Sequence, residues 1–153
     1  MSGRESKEEN DLFFVCSLIE RIARTTKNRR SDVALALGRS ELERLLNLAD
    51  ILHCEPLEKT AEELIEKLNI ANGTFDNVAD CRYAAPSVFD IGKVYKRLVS
   101  AVAKQDGILF ADALVSVYTS WISPKIDNYN SSMFYESPEY LFQSWLAGEP
   151  LRD

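Results

Sequence analysis

Histidine is nearly missing from this chain, with one copy, His53, in 153 residues, and cysteine occurs three times, at Cys16, Cys54 and Cys81. An odd cysteine count with no C-x-x-C pair argues against a disulfide scaffold, matches no closed zinc pattern, and suits a reducing cytoplasm. There is no GxSxG, GxGxxG or Walker loop, so the nucleophile elbow, the dinucleotide-binding turn and the phosphate-cradling loop are all lacking. The apolar run at residues 12–16 is five residues long, far short of the roughly 20 that a membrane span needs. Residues 1–9 are polar and charged, without the hydrophobic stretch of a secretory leader. Basic residues are outnumbered, 18 to 24, for a net charge of −6. That balance argues against a general nucleic-acid or anionic-membrane binder, which needs cationic surface to displace counterions.

What is present is ordinary globular material: 46% hydrophobic and 27% charged residues. A chain of this length buries roughly 70% of its unfolded surface, enough for one core without metal or disulfides. The hydrophobic pattern is helical throughout. Residues 11–26 predict a first helix with a broad apolar face (Leu12, Phe13, Val15, Cys16, Ile19, Ile22, Ala23) and a polar stripe at Ser17, Arg21, Arg24 and Asn28. Ser31 offers an N-cap for a short helix over 32–37 that Gly38 ends. Ser40 with Glu43, Thr60 with Glu63, and Ser87 with Asp90 each have capping-box spacing. Residues 108–122 are apolar nearly all round, the pattern of an enclosed central helix. Ser123-Pro124 and Ser137-Pro138 each put a capping serine before a first-turn proline. Between residues 70 and 86 the periodicity lapses around Asn72-Gly73 and Pro86, which predicts an irregular connector.

The expected fold is therefore all-α, an irregular helical bundle of seven or eight helices in two packed subdomains. The subdomains are residues 10–69 and 87–148, joined by the connector at 70–86 and preceded by disordered residues 1–9.

Candidate chemistry is sparse. His53 adjoins Cys54, but neighbouring helical positions point about 100° apart, which does not make a Cys–His nucleophilic pair. His53 near a helix end is expected to interact with the last carbonyls. Asp112 interrupts the apolar 108–122 segment near its start, where the helix dipole favours a carboxylate. An enzyme working through Asp112 or the His53/Cys54 region would need a concave pocket holding a perturbed titratable group. No catalytic, cofactor-binding or metal-binding residue is nominated. The stretch from Ser31 to Ser40 resembles the middle of a helix-turn-helix, with Arg29, Arg30, Arg39 and Arg44 as candidate DNA contacts. The segment entering the groove would begin Glu41-Leu42-Glu43, which sets two acids against phosphates.

Surface chemistry remains. Lys93, Lys96, Arg97, Ser100 and Lys104 form a cationic stripe on one helix, with Arg82 and Tyr83 just ahead of it. Tyrosines, asparagines and acids mix at residues 127–135, and Asp127 and Tyr129 are further candidates for a partner-binding surface.

The segments Asn10-Asp11-Leu12-Phe13-Phe14-Val15-Cys16, Leu52-His53-Cys54, Asp90-Ile91-Gly92-Lys93-Val94-Tyr95 and Trp121-Ile122-Ser123, with Lys125-Ile126-Asp127-Asn128-Tyr129, resemble companion segments of small bacterial helical proteins of unknown function. Tyr83 and Pro86-Ser87 share that resemblance. Such proteins are often found beside mobile-element or toxin-like genes, which implies an antitoxin- or immunity-like partner. The functional expectation is a cytoplasmic, non-enzymatic protein–protein interaction module that binds a partner protein or itself. A helix-turn-helix regulator is the alternative.

Overall fold

The computed structural model describes residues 6–151, which form seven α-helices, a short 3-10 turn at Met133–Tyr135 and no strand. The helices are α1 (Lys7–Thr26), α2 (Arg30–Leu52), α3 (Leu57–Lys67), α4 (Val88–Asp106), α5 (Phe110–Tyr118), α6 (Ile122–Ile126) and α7 (Pro138–Ala147). Among the described residues no helix is long and apolar enough to cross a membrane.

Helix α1 begins four residues before its expected start. The Ser6 hydroxyl accepts from the Glu9 amide at 3.2 Å, and Glu8 and Glu9 lie where the dipole favours acids. Lys7, Glu8 and Glu9, expected to be disordered, are thus helical; residues 1–5 of that segment lie outside the described residues.

The enclosed helix is α1, not the 108–122 segment. Every residue from Val15 to Glu20 is buried, and α1 packs on α2, α3 and α4. The 108–122 segment breaks after Tyr118 because two hydroxyls bond back to the preceding turn, Thr119 Oγ1 to Val115 O at 2.6 Å and Ser120 Oγ to Val117 O at 2.7 Å. The chain resumes as α6, which starts at Ile122. Ser123 therefore sits inside that helix and does not cap it.

Two caps form as expected. Ser87 and Asp90 exchange reciprocal bonds of 3.0 Å, and Ser137 accepts from the Tyr140 amide at 3.1 Å with Pro138 at the first helical position. The others give way. Arg29 stands at the N-cap of α2 in place of Ser31, whereas Gly38, at φ 77° and ψ 163°, breaks the helical backbone where a helix stop is expected and divides α2 into two helical halves at a kink. That left-handed φ costs a side chain dearly and glycine little. Pro56 precedes α3, which leaves Thr60 in the helix interior with its hydroxyl buried and unbonded.

The two halves share one hydrophobic cluster, in which α1 packs on α4 and α2 on α5. The connector is pinned to both halves. Gly73 and Phe75 amides bond the carbonyls of Thr26 and Lys27 at 2.8 Å, and Asn77 Nδ2 bonds Asp127 O at 2.9 Å.

Helices α1 and α4 come into close contact at Gly92 of α4. A Cβ there would stand 2.3 Å from Ser17 Oγ and 3.0 Å from Ser17 Cα, so the backbones of α1 and α4 would have to part. Gly92→Ala is expected to lower stability by about 2–3 kcal/mol, the scale of core overpacking. Ser17→Gly in the same chain recovers part of the loss; urea melts of the three variants measure both effects.

Candidate functional site

Two features concentrate polar or exposed apolar chemistry, and neither follows from local pattern.

The first is a buried polar network at the junction of α1, α2, α4 and the 127–129 turn. Arg30 is fully buried and clasps Glu20 through Nε at 2.8 Å and Nη2 at 2.6 Å. Arg24 Nε reaches the same carboxylate at 2.7 Å, and its Nη2 bonds Pro86 O at 2.7 Å. The Tyr129 hydroxyl also donates to Glu20. Burial alone pushes the Glu20 carboxyl up, but the hydrogen bonds and charge of Arg30, with Arg24 and Tyr129, outweigh it and hold Glu20 below its ordinary value. Burial likewise works against the charged Arg30, and Glu20 more than offsets it.

Beside this pair lies Asp127, 3% exposed. Its Oδ1 accepts from the Tyr95 hydroxyl at 2.6 Å and its Oδ2 from Ser123 Oγ at 3.4 Å. Burial pushes its carboxyl up to about 7, and Glu20 adds to the rise, against the opposing pull of Arg30, Tyr95 and Ser123. A cleft of about 330 Å³ opens nearby between Arg29, Phe75, Asn77 and Asn128. Both carboxylate oxygens of Asp127 are engaged by Tyr95 and Ser123, so the group is held as part of the fold, not presented to solvent.

The second feature is a groove of about 630 Å³ between the ends of four helices. Phe13 and Phe14 of α1, Leu57 of α3 and Phe89 of α4 supply its apolar walls. Phe89 is 54% exposed and rests 6.1 Å, centroid to centroid, from Phe13. Ser17 lines the groove with a buried hydroxyl that has no hydrogen-bond partner. Asp11, Asp50, Glu55 and Lys7 stand at the rim, where Lys7 spans from Asp11 at 2.8 Å to Asp50 at 3.2 Å. A second cleft of about 390 Å³ adjoins it at Asp11, walled by Leu46, Ile108, Leu109 and Phe110.

Several nominated residues are placed elsewhere than expected. Lys96 and Ser100 are buried, and Lys96 pairs with Glu9 at 3.8 Å. The other cations of the stripe, Lys93, Arg97 and Lys104, stay exposed, and Lys104 also pairs with Glu9 at 3.2 Å. Asp127 and Tyr129 are each 3% exposed and line the cleft beside Arg29 and Asn77, whereas Arg82 and Tyr83 are exposed in the connector. Of the DNA candidates, Arg30 is inaccessible, Arg39 pairs with Asp112 at 2.9 Å and Glu43 at 3.0 Å, and Arg44 pairs with Glu41. Arg29 stacks on Phe75 with 4.5 Å to the ring centroid. No continuous basic face remains among these four.

Asp112 is a half-exposed residue in the first turn of α5, bonded to Arg39. His53 Nδ1 lies 3.0 Å from Ala49 O at the end of α2, and the exposed Cys54 thiol bonds Asp50 O at 3.6 Å. Among the described residues no group of histidine, cysteine or acidic side chains is arranged to hold a metal ion.

Comparison with protein-family models, curated proteins and solved structures finds no match for this chain.

Proposed function

We propose that this chain is a non-enzymatic protein–protein interaction module whose binding site is the groove between α1, α2, α3 and α4, and whose occupant is an apolar segment of a partner protein. The observation that carries this is the aromatic wall of Phe13, Phe14 and Phe89 in an open groove of about 630 Å³. Aromatic anchors in such pockets dominate the energetics of protein interfaces. Among the described residues the one strongly raised carboxyl, Asp127, is locked into internal bonds, which favours binding over acid–base chemistry.

The test is reconstitution with the protein that the full chain captures from its native cells. Phe89→Ala is expected to weaken binding about 30-fold, the loss of roughly 2 kcal/mol typical of an interface anchor. Lys93→Glu with Arg97→Glu should leave affinity within about twofold, as both lie outside the groove. The reverse pattern would return the docking surface to α4 and remove it from the groove.

A further inference from the structure

The groove and the adjoining cleft meet at Asp11, and α2 lines them in succession: Glu43, Leu46 and Asn47 face the cleft, and Ala49 and Asp50, with His53 just past the helix end, face the groove. The ten-residue rise from Glu43 to His53 covers about 15 Å. A helix of about three turns matches the length of α2 that lines the two clefts in succession.

The ionisable side chains along this stretch are mostly acidic. Glu8, Asp11, Glu43, Asp50 and Glu55 line the two clefts, and Lys7 is the one ammonium among their lining residues, while Arg39 pairs with Glu43 and Lys59 with Glu55 from beside them. Lys7 is 60% exposed and holds both Asp11 and Asp50. It occupies the place that a partner's cation would take.

Resting on the groove reading above, the geometry points to a cationic amphipathic helix of a partner protein as the occupant. Its apolar face fills both clefts, and its lysines or arginines meet the acidic rim. Helix-in-groove recognition of this kind divides its labour: apolar anchors supply affinity, and rim charges select the partner. Lys7 then acts as an internal competitor that the arriving helix displaces.

The experiment uses the full chain and three fluorescein-labelled 18-residue peptides of one leucine pattern, with lysine, glutamine or glutamate at the polar positions. Fluorescence anisotropy at low salt is expected to rank them lysine, glutamine, glutamate, with about tenfold between the first two. Lys7→Ala should tighten the lysine peptide about threefold and leave the glutamine peptide unchanged, a response that a purely structural Lys7 would not give. Phe89→Ala and Leu109→Ala, both at exposed positions, should each weaken the lysine peptide about tenfold.

Equal affinity for the lysine and glutamine peptides would overturn the cationic partner. In that case a loss on Phe89→Ala would leave the groove reading standing. A lysine peptide that fails to bind, or that binds regardless of Phe89 and Leu109, would sink the proposal. So would a chain that dimerises at tens of micromolar and comes apart on Phe89→Ala, which would make a second copy the occupant.

Discussion

Arg30→Ala is expected to lower the unfolding free energy by about 3–5 kcal/mol, the largest effect of any single substitution considered for this fold. The magnitude comes from what is left behind. Glu20 is 1% exposed, and without Arg30 it would be a buried carboxylate facing only Arg24 and the Tyr129 hydroxyl. Breaking a buried ion pair costs this much because the surviving charge has lost its partner and cannot regain water. The pair itself need not be stabilising relative to apolar side chains of like size. Glu20→Leu with Arg30→Met in one chain is therefore expected to recover most of the loss, since no fully buried charge is then stranded; Arg24, its side chain 16% exposed, loses Glu20 but keeps its bond to Pro86 O. Denaturant melts of the two single variants and the double variant measure the coupling. Independent, additive losses would show that the two groups do not act as a unit.

The second large effect is a pH dependence centred on Asp127. Its carboxyl is raised to about 7 in the folded chain, against about 3.9 in an unfolded one. Folding therefore favours the protonated form. The stabilisation is fully present below about pH 4 and disappears as pH rises through about 7. The groups facing Asp127 are Tyr95 from α4, Ser123 from α6, Arg30 from α2 and Glu20 from α1; the Asn77 side chain binds its carbonyl. Asp127→Asn keeps an oxygen to accept from Tyr95 and removes the titration. Between pH 4.5 and pH 8 the stability difference between variant and wild type should move by about 2–4 kcal/mol in favour of asparagine. Parallel curves for the two proteins would mean that Asp127 ionises in the fold as it does in water.

Both effects arise from contacts that a reading along the chain does not reach. Glu20 and Arg30 stand 10 residues apart and Glu20 and Tyr129 109 apart. No helical period joins such positions, and Arg30 in particular looks like one more exposed cation beside Arg29. Features whose partners sit within a turn of each other were legible: the Ser87–Asp90 box, the Ser137-Pro138 start and the His53 contact with Ala49 all concern positions three or four apart at most. Capping pairs at Ser40 and Thr60 have the same spacing, yet Pro56 starts α3 earlier and puts Thr60 in its interior, and the break that forms ahead of Ser40 is the Gly38 kink. The cationic stripe fails for a related reason. Helical geometry puts Lys93, Lys96, Arg97 and Lys104 on neighbouring positions, but Lys96 is buried against Glu9 of α1, and Lys104, still exposed, pairs with the same carboxylate. Phe13 reads as part of the apolar face of α1, and the meeting of α1 with α2, α3 and α4 is what leaves it, with Phe14, Leu57 and Phe89, in the walls of an open groove.

The most direct measurement is a two-dimensional amide NMR titration of the isotope-labelled chain with the lysine-patterned peptide. The account predicts shift changes along α1 from Lys7 to Ser17, along α2 from Glu43 to His53, and at Phe89 and Leu109, with Arg82, Lys93 and Arg97 unmoved. Shifts confined to the connector or to the exposed side of α4, with the groove silent, would contradict it.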